Sequence, residues 1–248
     1  MNKAAIKQKL ESYPRLFLGA LSLKRIGHWS RLWIVSKAAD ITIEGYPRSG
    51  NSFAHSAFRS TQKEQLRIAT HVHSYAQIVR SVDLSVPTMV LLRNPKDACL
   101  SLVALSHEIA QHDVSDLELS RAKQSLIENL RSYKTFYDKV LKVKDGIIIA
   151  EFSLVTTDFG EIIRRMNKRF GTTFAPYKNS EKNDSTLFKK GGFHLSPNQQ
   201  RDSIKDYLRQ CFNSDDVEVL VNDAMAIYQE MLQVECQQAK IYGGSSHD

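Results

Sequence analysis

The chain has 248 residues, 42% of them hydrophobic and 25% charged, with 11 Gly and 6 Pro; this is a globular composition, and it excludes collagenous, fibrous and disordered classes. Its 34 Lys+Arg against 27 Asp+Glu leave a net charge of +7, which favours anionic company (nucleic acid, anionic lipid or a phosphorylated ligand) without choosing among the three. Cys99, Cys211 and Cys236 are odd in number, far apart and in no C-x-x-C pair, which argues against a disulfide framework or a cysteine zinc site and for a reducing compartment.

In chain order, residues 1–40 carry eight Lys/Arg against Glu11 and Asp40, nearly the whole positive excess. A helical pattern over 2–12 stops near Pro14, and 16–36 reads as further short helices with Trp29 and Trp33 four apart on one face, able to pack or to touch a membrane. No signal-peptide order is present and no apolar run is long enough to span a bilayer, so the expected location is cytoplasmic, with peripheral membrane contact through residues 1–40. Ile41-Thr42-Ile43 then enters a glycine-containing loop and a helix over 53–60, followed by a short strand at 66–70, a helix at 74–82 and an apolar strand at 87–92. Asn94-Pro95 starts a helix, with Asp97 at its electropositive end; 116–143 is a long helix, 146–150 a buried strand and 158–170 a helix stopped by Gly171. A basic, loop-rich stretch at 176–196 and two helices at 197–212 and 215–238 complete the chain. Strands alternating with helices predict an α/β three-layer fold of P-loop type, a mostly parallel sheet between helices. One domain over 1–248 is expected: a basic extension to 38, a motif-bearing core at 39–200 and terminal helices at 201–248.

Gly45, Gly50 and Ser52 fit the G-x-x-x-x-G-x-S frame of a phosphate loop, in which backbone N–H groups and a helix N-terminus cradle phosphate oxygens. The lysine expected before the serine is replaced by Asn51, and the apolar strand at 87–92 runs into Arg93 where an NTP-splitting site has an Asp, so the loop reads as a phosphate site without a metal. Arg93 after an apolar strand is an uneconomical place for a purely structural cation.

Tyr46-Pro47-Arg48-Ser49-Gly50-Asn51-Ser52-Phe53 resembles the Y-P-K-S-G-T-T-W loop of sulfotransferases that use 3′-phosphoadenosine 5′-phosphosulfate. Arg93-Asn94-Pro95-Lys96-Asp97-Ala98-Cys99-Leu100-Ser101 is similar to the same family's R-N-P-x-D-x-x-x-S element, and Lys189-Lys190-Gly191 to its R-K-G segment. The resemblance spans about residues 40–200 and implies an enzyme that transfers a sulfo group to a hydroxyl or amine, with no metal required. It implies that Ser49, Gly50, Asn51 and Ser52 hold the 5′-phosphate, that Arg48 stands in for the lysine at the sulfo group, and that Phe53 stacks on adenine. Arg93 and Ser101 would take the 3′-phosphate, with Lys189, Lys190 and Gly191 closing over it.

A general base is needed for the acceptor, and Thr70-His71 after the second strand resembles the family's K-T-H, with His73 in reserve. Ala69 replaces the lysine of that motif, and the family's Gly-Asp-Trp is absent from Gly192-Phe193-His194. The acceptor, whether a small molecule, a lipid or a glycan, is unspecified, and no nucleic-acid motif is present. A divergent small-molecule kinase and a non-catalytic basic peripheral membrane protein stay open as alternatives.

Overall fold

The structure is a computed structural model that describes residues 9–110, 116–181, 183, 185 and 199–243. Four parallel strands, β1 (Ile41–Gly45), β2 (Ile68–Thr70), β3 (Thr88–Leu92) and β4 (Ile148–Glu151), form one sheet in the order β2-β1-β3-β4. Parallel strands need crossover connections, and helices supply them on both faces. On one face lie α2 (Asn51–Thr61), α6 (Phe152–Thr157) and α7 (Phe159–Phe170); they bury Phe53, Ala57, Phe58, Val155, Ile162 and Met166 against Ile41, Ile43, Met89 and Leu91. On the other lie α3 (Tyr75–Asp83), α4 (Pro95–Ala110), α5 (Asp116–Leu141), α8 (Gln199–Cys211) and α9 (Asp215–Tyr242), packed over Val90, Leu92 and Ile149. This is the α/β three-layer arrangement that the alternating pattern predicts.

The strands are apolar on both faces because both are covered, and each buried aliphatic side chain contributes about 1.5–3 kcal/mol. Three buried hydroxyls tie the layers together: Thr42 Oγ1 lies 2.7 Å from Ser81 Oγ on α3, and Ser81 Oγ lies 2.7 Å from Thr88 Oγ1 on β3. At the outer edge of β4, the Gln238 side chain accepts from Ile149 N at 2.8 Å and donates to the Ile147 carbonyl at 3.0 Å. Buried Arg165 on α7 reaches both Glu161 and Glu235, joining α7 to α9.

The chain before β1 forms short helices, as expected over 16–36. Pro14 begins a helix, α1 (Pro14–Lys24), where proline's missing N–H costs nothing in the first turn. Trp29–Trp33 is a 3-10 turn, and the two indoles meet edge to face at 4.4 Å. Leu18 and Val35 pack with Ala69 and Val86, so this segment covers the flank of edge strand β2. The stretch after β4, with no helix expected before 158, contains α6, a short helix capped by the Glu151 carboxylate accepting from Ser153 N at 2.7 Å.

Gly45 is paired with Leu91 at the carboxyl end of β1, and a Cβ there would stand 2.6 Å from the Leu91 carbonyl oxygen. Replacing Gly45 by Ala is therefore expected to separate β1 from β3 and lower the melting temperature by roughly 5–10 °C, following about 2–3 kcal/mol of overpacking. Unchanged thermal denaturation would show that the strands accommodate the methyl group.

Candidate active site at the carboxyl edge of the sheet

The chain passes from β1 out to β2, then back across β1 to β3, and the crossover helices α2 and α3 lie on opposite faces. In open α/β sheets such a reversal leaves a crevice at the carboxyl ends of the two strands, where ligands bind. Both sulfotransferase-like segments start there: the 46–50 loop leaves β1 and Arg93 follows β3.

The loop is held from below by α5, whose residues at four-residue spacing share one face. Asn129 accepts from the Tyr46 hydroxyl, its carbonyl at 3.0 Å and Oδ1 at 3.1 Å; the Tyr133 hydroxyl donates to the Arg93 carbonyl at 2.7 Å, and the Tyr137 hydroxyl to the Leu91 carbonyl at 2.7 Å. Burial pushes the pKa of all three tyrosines up, which keeps them as neutral donors. Gly50 turns the chain into α2 with φ 95°, a conformation costly for any residue with a Cβ, and the Phe152 ring closes over it, 3.3 Å from where that Cβ would be. The N–H groups of the first turn of α2, at Asn51, Ser52 and Phe53, point along the helix axis toward the loop.

Three predicted residues converge. Arg48, itself at φ 68°, donates Nε–H to Ser101 Oγ on α4 at 3.0 Å. Arg93 donates Nη1–H to the Arg48 carbonyl at 2.9 Å and lies 4.2 Å over the Phe152 ring, its pKa lowered by burial and raised in part by Asp97. Its Nε, and Oδ1 of nearly buried Asn51, are buried without hydrogen-bond partners among the described residues. Asn51 is held through Nδ2 to the Tyr46 carbonyl at 3.1 Å, and fully buried Ser49 lies beside the Tyr137 hydroxyl. An unpaired guanidinium N–H costs about 1–3 kcal/mol in a buried setting and is repaid by an anion.

The histidine expected as base lies at the same edge. His71 Nε2 is 3.3 Å from Ser52 Oγ on the first turn of α2, and Nδ1 is 3.0 Å from Thr70 Oγ1. Burial, then the neighbouring His73 and His55, pull its pKa down to about 4, so the imidazole is neutral at pH 7. When Nδ1–H donates to Thr70, Nε2 is left as the accepting nitrogen facing the loop. His73 turns away, its Nδ1 3.2 Å from the Gly45 carbonyl and 3.6 Å from Glu44.

Glu44, at the carboxyl end of β1, is a residue that sequence reasoning missed. Fully buried, it accepts from Val72 N at 2.9 Å, Gly45 N at 3.1 Å and Gln77 Nε2 at 3.0 Å. Burial raises its pKa, while His73 and the backbone N–H groups of Val72 and Gly45 pull the other way. It clamps the 71–73 turn, in which His71 and His73 hold left-handed φ values of 53° and 52°, each costing of order 1–3 kcal/mol. A carboxylate in the strand run from Ile41 to Gly45, whose other polar side chain is the uncharged Thr42, was the available signal. Trp33, 4.9 Å from the His71 ring, is a second unexpected neighbour.

Phe53, expected to stack on adenine, is placed elsewhere. It is 6% exposed and packs edge to face with Phe159 and Tyr177 in the core, because it lies on the buried stripe of α2. The partly exposed aromatic at the loop is Phe152. Lys189, Lys190 and Gly191 lie outside the described residues. Asp97 is in the first turn of α4, and Cys99 is a buried thiol whose pKa burial pushes up, not an activated nucleophile. The chain matches no protein-family model, no curated protein and no solved structure.

Proposed function

We propose that the chain is a sulfotransferase that moves a sulfo group from 3′-phosphoadenosine 5′-phosphosulfate to an acceptor hydroxyl or amine in one in-line step. The observation that carries this reading is the junction of the two sulfotransferase-like segments, Arg48 to Ser101 and Arg93 to the Arg48 carbonyl, at the switch point of the sheet. A donor with phosphates on the 3′ and 5′ oxygens of its ribose needs two anion sites, and a helix N-terminus beside two arginines supports that reading. In this reading the first turn of α2 takes the 5′-phosphate, and Arg93 with Ser101 takes the 3′-phosphate. That phosphate replaces Arg48 on Ser101 and frees the Arg48 guanidinium for the sulfo oxygens. His71 Nε2 removes the acceptor proton as the new S–O or S–N bond forms. The old S–O bond breaks with its electron pair on the phosphate, leaving adenosine 3′,5′-bisphosphate. The resemblance assigns Lys189, Lys190 and Gly191 to the 3′-phosphate as well.

Thermal-shift titration tests the reading. Adenosine 3′,5′-bisphosphate at a hundred times its Kd is expected to stabilise the fold by about 2.7 kcal/mol, roughly 5–10 °C for a chain of this length. Arg93→Ala is expected to weaken that response at least about tenfold in concentration, having lost a charge-assisted contact. Stabilisation by ATP with Mg²⁺ and none by the bisphosphate would replace the sulfotransferase with a kinase; no response to either would leave a non-catalytic protein.

A further inference from the structure

Among the described residues, nine large hydrophobic side chains are exposed, and seven of them, Leu10, Tyr13, Leu16, Leu23, Ile26, Trp29 and Leu32, fall within residues 10–32. Leu16 is 66% exposed, Trp29 62% and Leu32 74%. The helix α1 is apolar on more than one side, since Phe17 and Leu18 pack inward against Val35, Ala69 and Val86 while Leu16 and Leu23 face outward. A helix apolar on two sides needs a second apolar neighbour, and none covers the Leu16 and Leu23 side among the described residues. Within residues 9–37 the charges are nearly all of one sign: Lys9, Arg15, Lys24, Arg25, Arg31 and Lys37 stand against a single acidic residue of the segment, Glu11, which is buried; from the packed helix α3, Asp83 pairs with Arg80. Beside α1 a cavity of about 520 Å³ is lined by Arg15, Arg31, Arg67 and Arg80 together with buried Leu18 and Val35, cations over an apolar floor.

We propose that residues 10–37 dock the protein on an anionic lipid surface. Apolar side chains ringed by Lys and Arg match the acyl-headgroup boundary, where hydrophobic insertion and attraction to negative headgroups add. The arginine-lined cavity gives a headgroup phosphate a recess. The same face continues into the candidate active site: exposed Trp29 meets Trp33, and Trp33 lies against His71. Docking brings the base to the membrane surface, so the acceptor is the hydroxyl or amine of a membrane-borne amphiphile. This last step rests on the sulfotransferase reading; the docking itself does not.

The test uses the full chain sedimented with vesicles of phosphatidylcholine alone or mixed with phosphatidylglycerol. Binding is expected only to the anionic vesicles and is expected to weaken as salt rises. Lys24→Glu should reduce it about tenfold. The triple variant Leu16→Ser, Trp29→Ser, Leu32→Ser changes only exposed side chains and should lose vesicle binding while keeping its response to adenosine 3′,5′-bisphosphate. In Trp33→Phe, Trp29 is the sole tryptophan, and its emission should shift to the blue on anionic vesicles. Equal binding to neutral vesicles, or undiminished binding by the triple variant, overturns the proposal. So does a chain that dimerises through this face and becomes monomeric in the triple variant without ever binding vesicles. In the natural chain, absent vesicle binding with intact bisphosphate stabilisation refutes the docking alone; vesicle binding with no bisphosphate stabilisation refutes the sulfotransferase alone. With labelled donor, label appearing in the aqueous fraction rather than the lipid fraction of a lysate overturns the membrane-borne acceptor.

Discussion

Replacing His71 by Asn is expected to lower kcat for the proposed sulfo transfer by about 10²–10⁴-fold, the range for removing a general base, while stabilisation by adenosine 3′,5′-bisphosphate is unchanged. Asn is the substitution of choice because the position has φ 53°, where Asn is tolerated better than Ala. With its pKa near 4 in the free protein, His71 carries no proton at neutral pH, so the acid limb of kcat/KM should fall near pH 4 rather than near 6.5. Stability changes with the same group. The unfolded chain binds this proton more tightly than the folded one, so folding stability is undiminished above pH 6.5 and falls as pH drops from about 6.5 toward 4. The variant should lose His71's share of that dependence, which a series of melting curves between those values would read, while the share of His55, whose pKa burial also lowers, stays. An active His71→Asn beside an inactive His73→Asn would transfer the role of base to His73.

Glu44→Ala is expected to destabilise the protein by about 3 kcal/mol, roughly 10 °C in melting temperature, because it strands the buried N–H groups of Val72 and Gly45 and the amide of Gln77. Two effects oppose each other at this carboxylate. Burial disfavours its charge, as the raised pKa records, whereas three donors converge on it. Removing the side chain relieves the first and forfeits the second; the left-handed turn at 71–73 then also loses its clamp, and the loss prevails. Glu44→Gln keeps one accepting oxygen but turns an NH₂ toward other N–H groups, so it should fall between Ala and the natural residue. The sign of the pH effect is opposite to that of His71: the folded state holds the Glu44 proton more tightly than the unfolded chain, so protonation through the ordinary carboxylate range does not cost stability at this site. Calorimetry at pH 7 checks the order; a Glu44→Ala protein as stable as the natural one would remove the clamp from the account.

The strands and most helices were legible because burial on two faces writes continuous apolar runs, as in Thr88–Leu92 and Ile148–Glu151, and because caps are local chemistry. Asn94 Oδ1 accepts from Lys96 N at 2.9 Å, and Gly171 stops α7 at φ 66°. Convergence of Arg48, Arg93, Ser101 and His71 on one edge followed from motif spacing plus parallel topology. The rest depended on partners distant in sequence. Glu44 is acceptable inside a sheet only because Gln77 and the 71–73 turn come back to it. The α6 helix has β-branched Val155, Thr156 and Thr157 in its six residues and a weak intrinsic preference; the Glu151 cap and hydroxyl bonds such as Thr157 Oγ1 to the Ser153 carbonyl hold it. Phe53 matched a motif position, yet its place on the stripe with Ala54, Ala57 and Phe58 decides where the ring goes.

The amide of Gln238 answers β4 as a neighbouring strand would, filling one N–H and one C=O of the outermost backbone. At the opposite side, the segment before β1 shields the flank of β2. A four-stranded parallel sheet is an open template, and a second molecule that added a strand to it would begin a polymer. With a side chain occupying the hydrogen-bonding edge of β4, lateral growth of the sheet must first displace an element of the molecule's own fold, so self-association along that edge is coupled to partial unfolding rather than to collision alone.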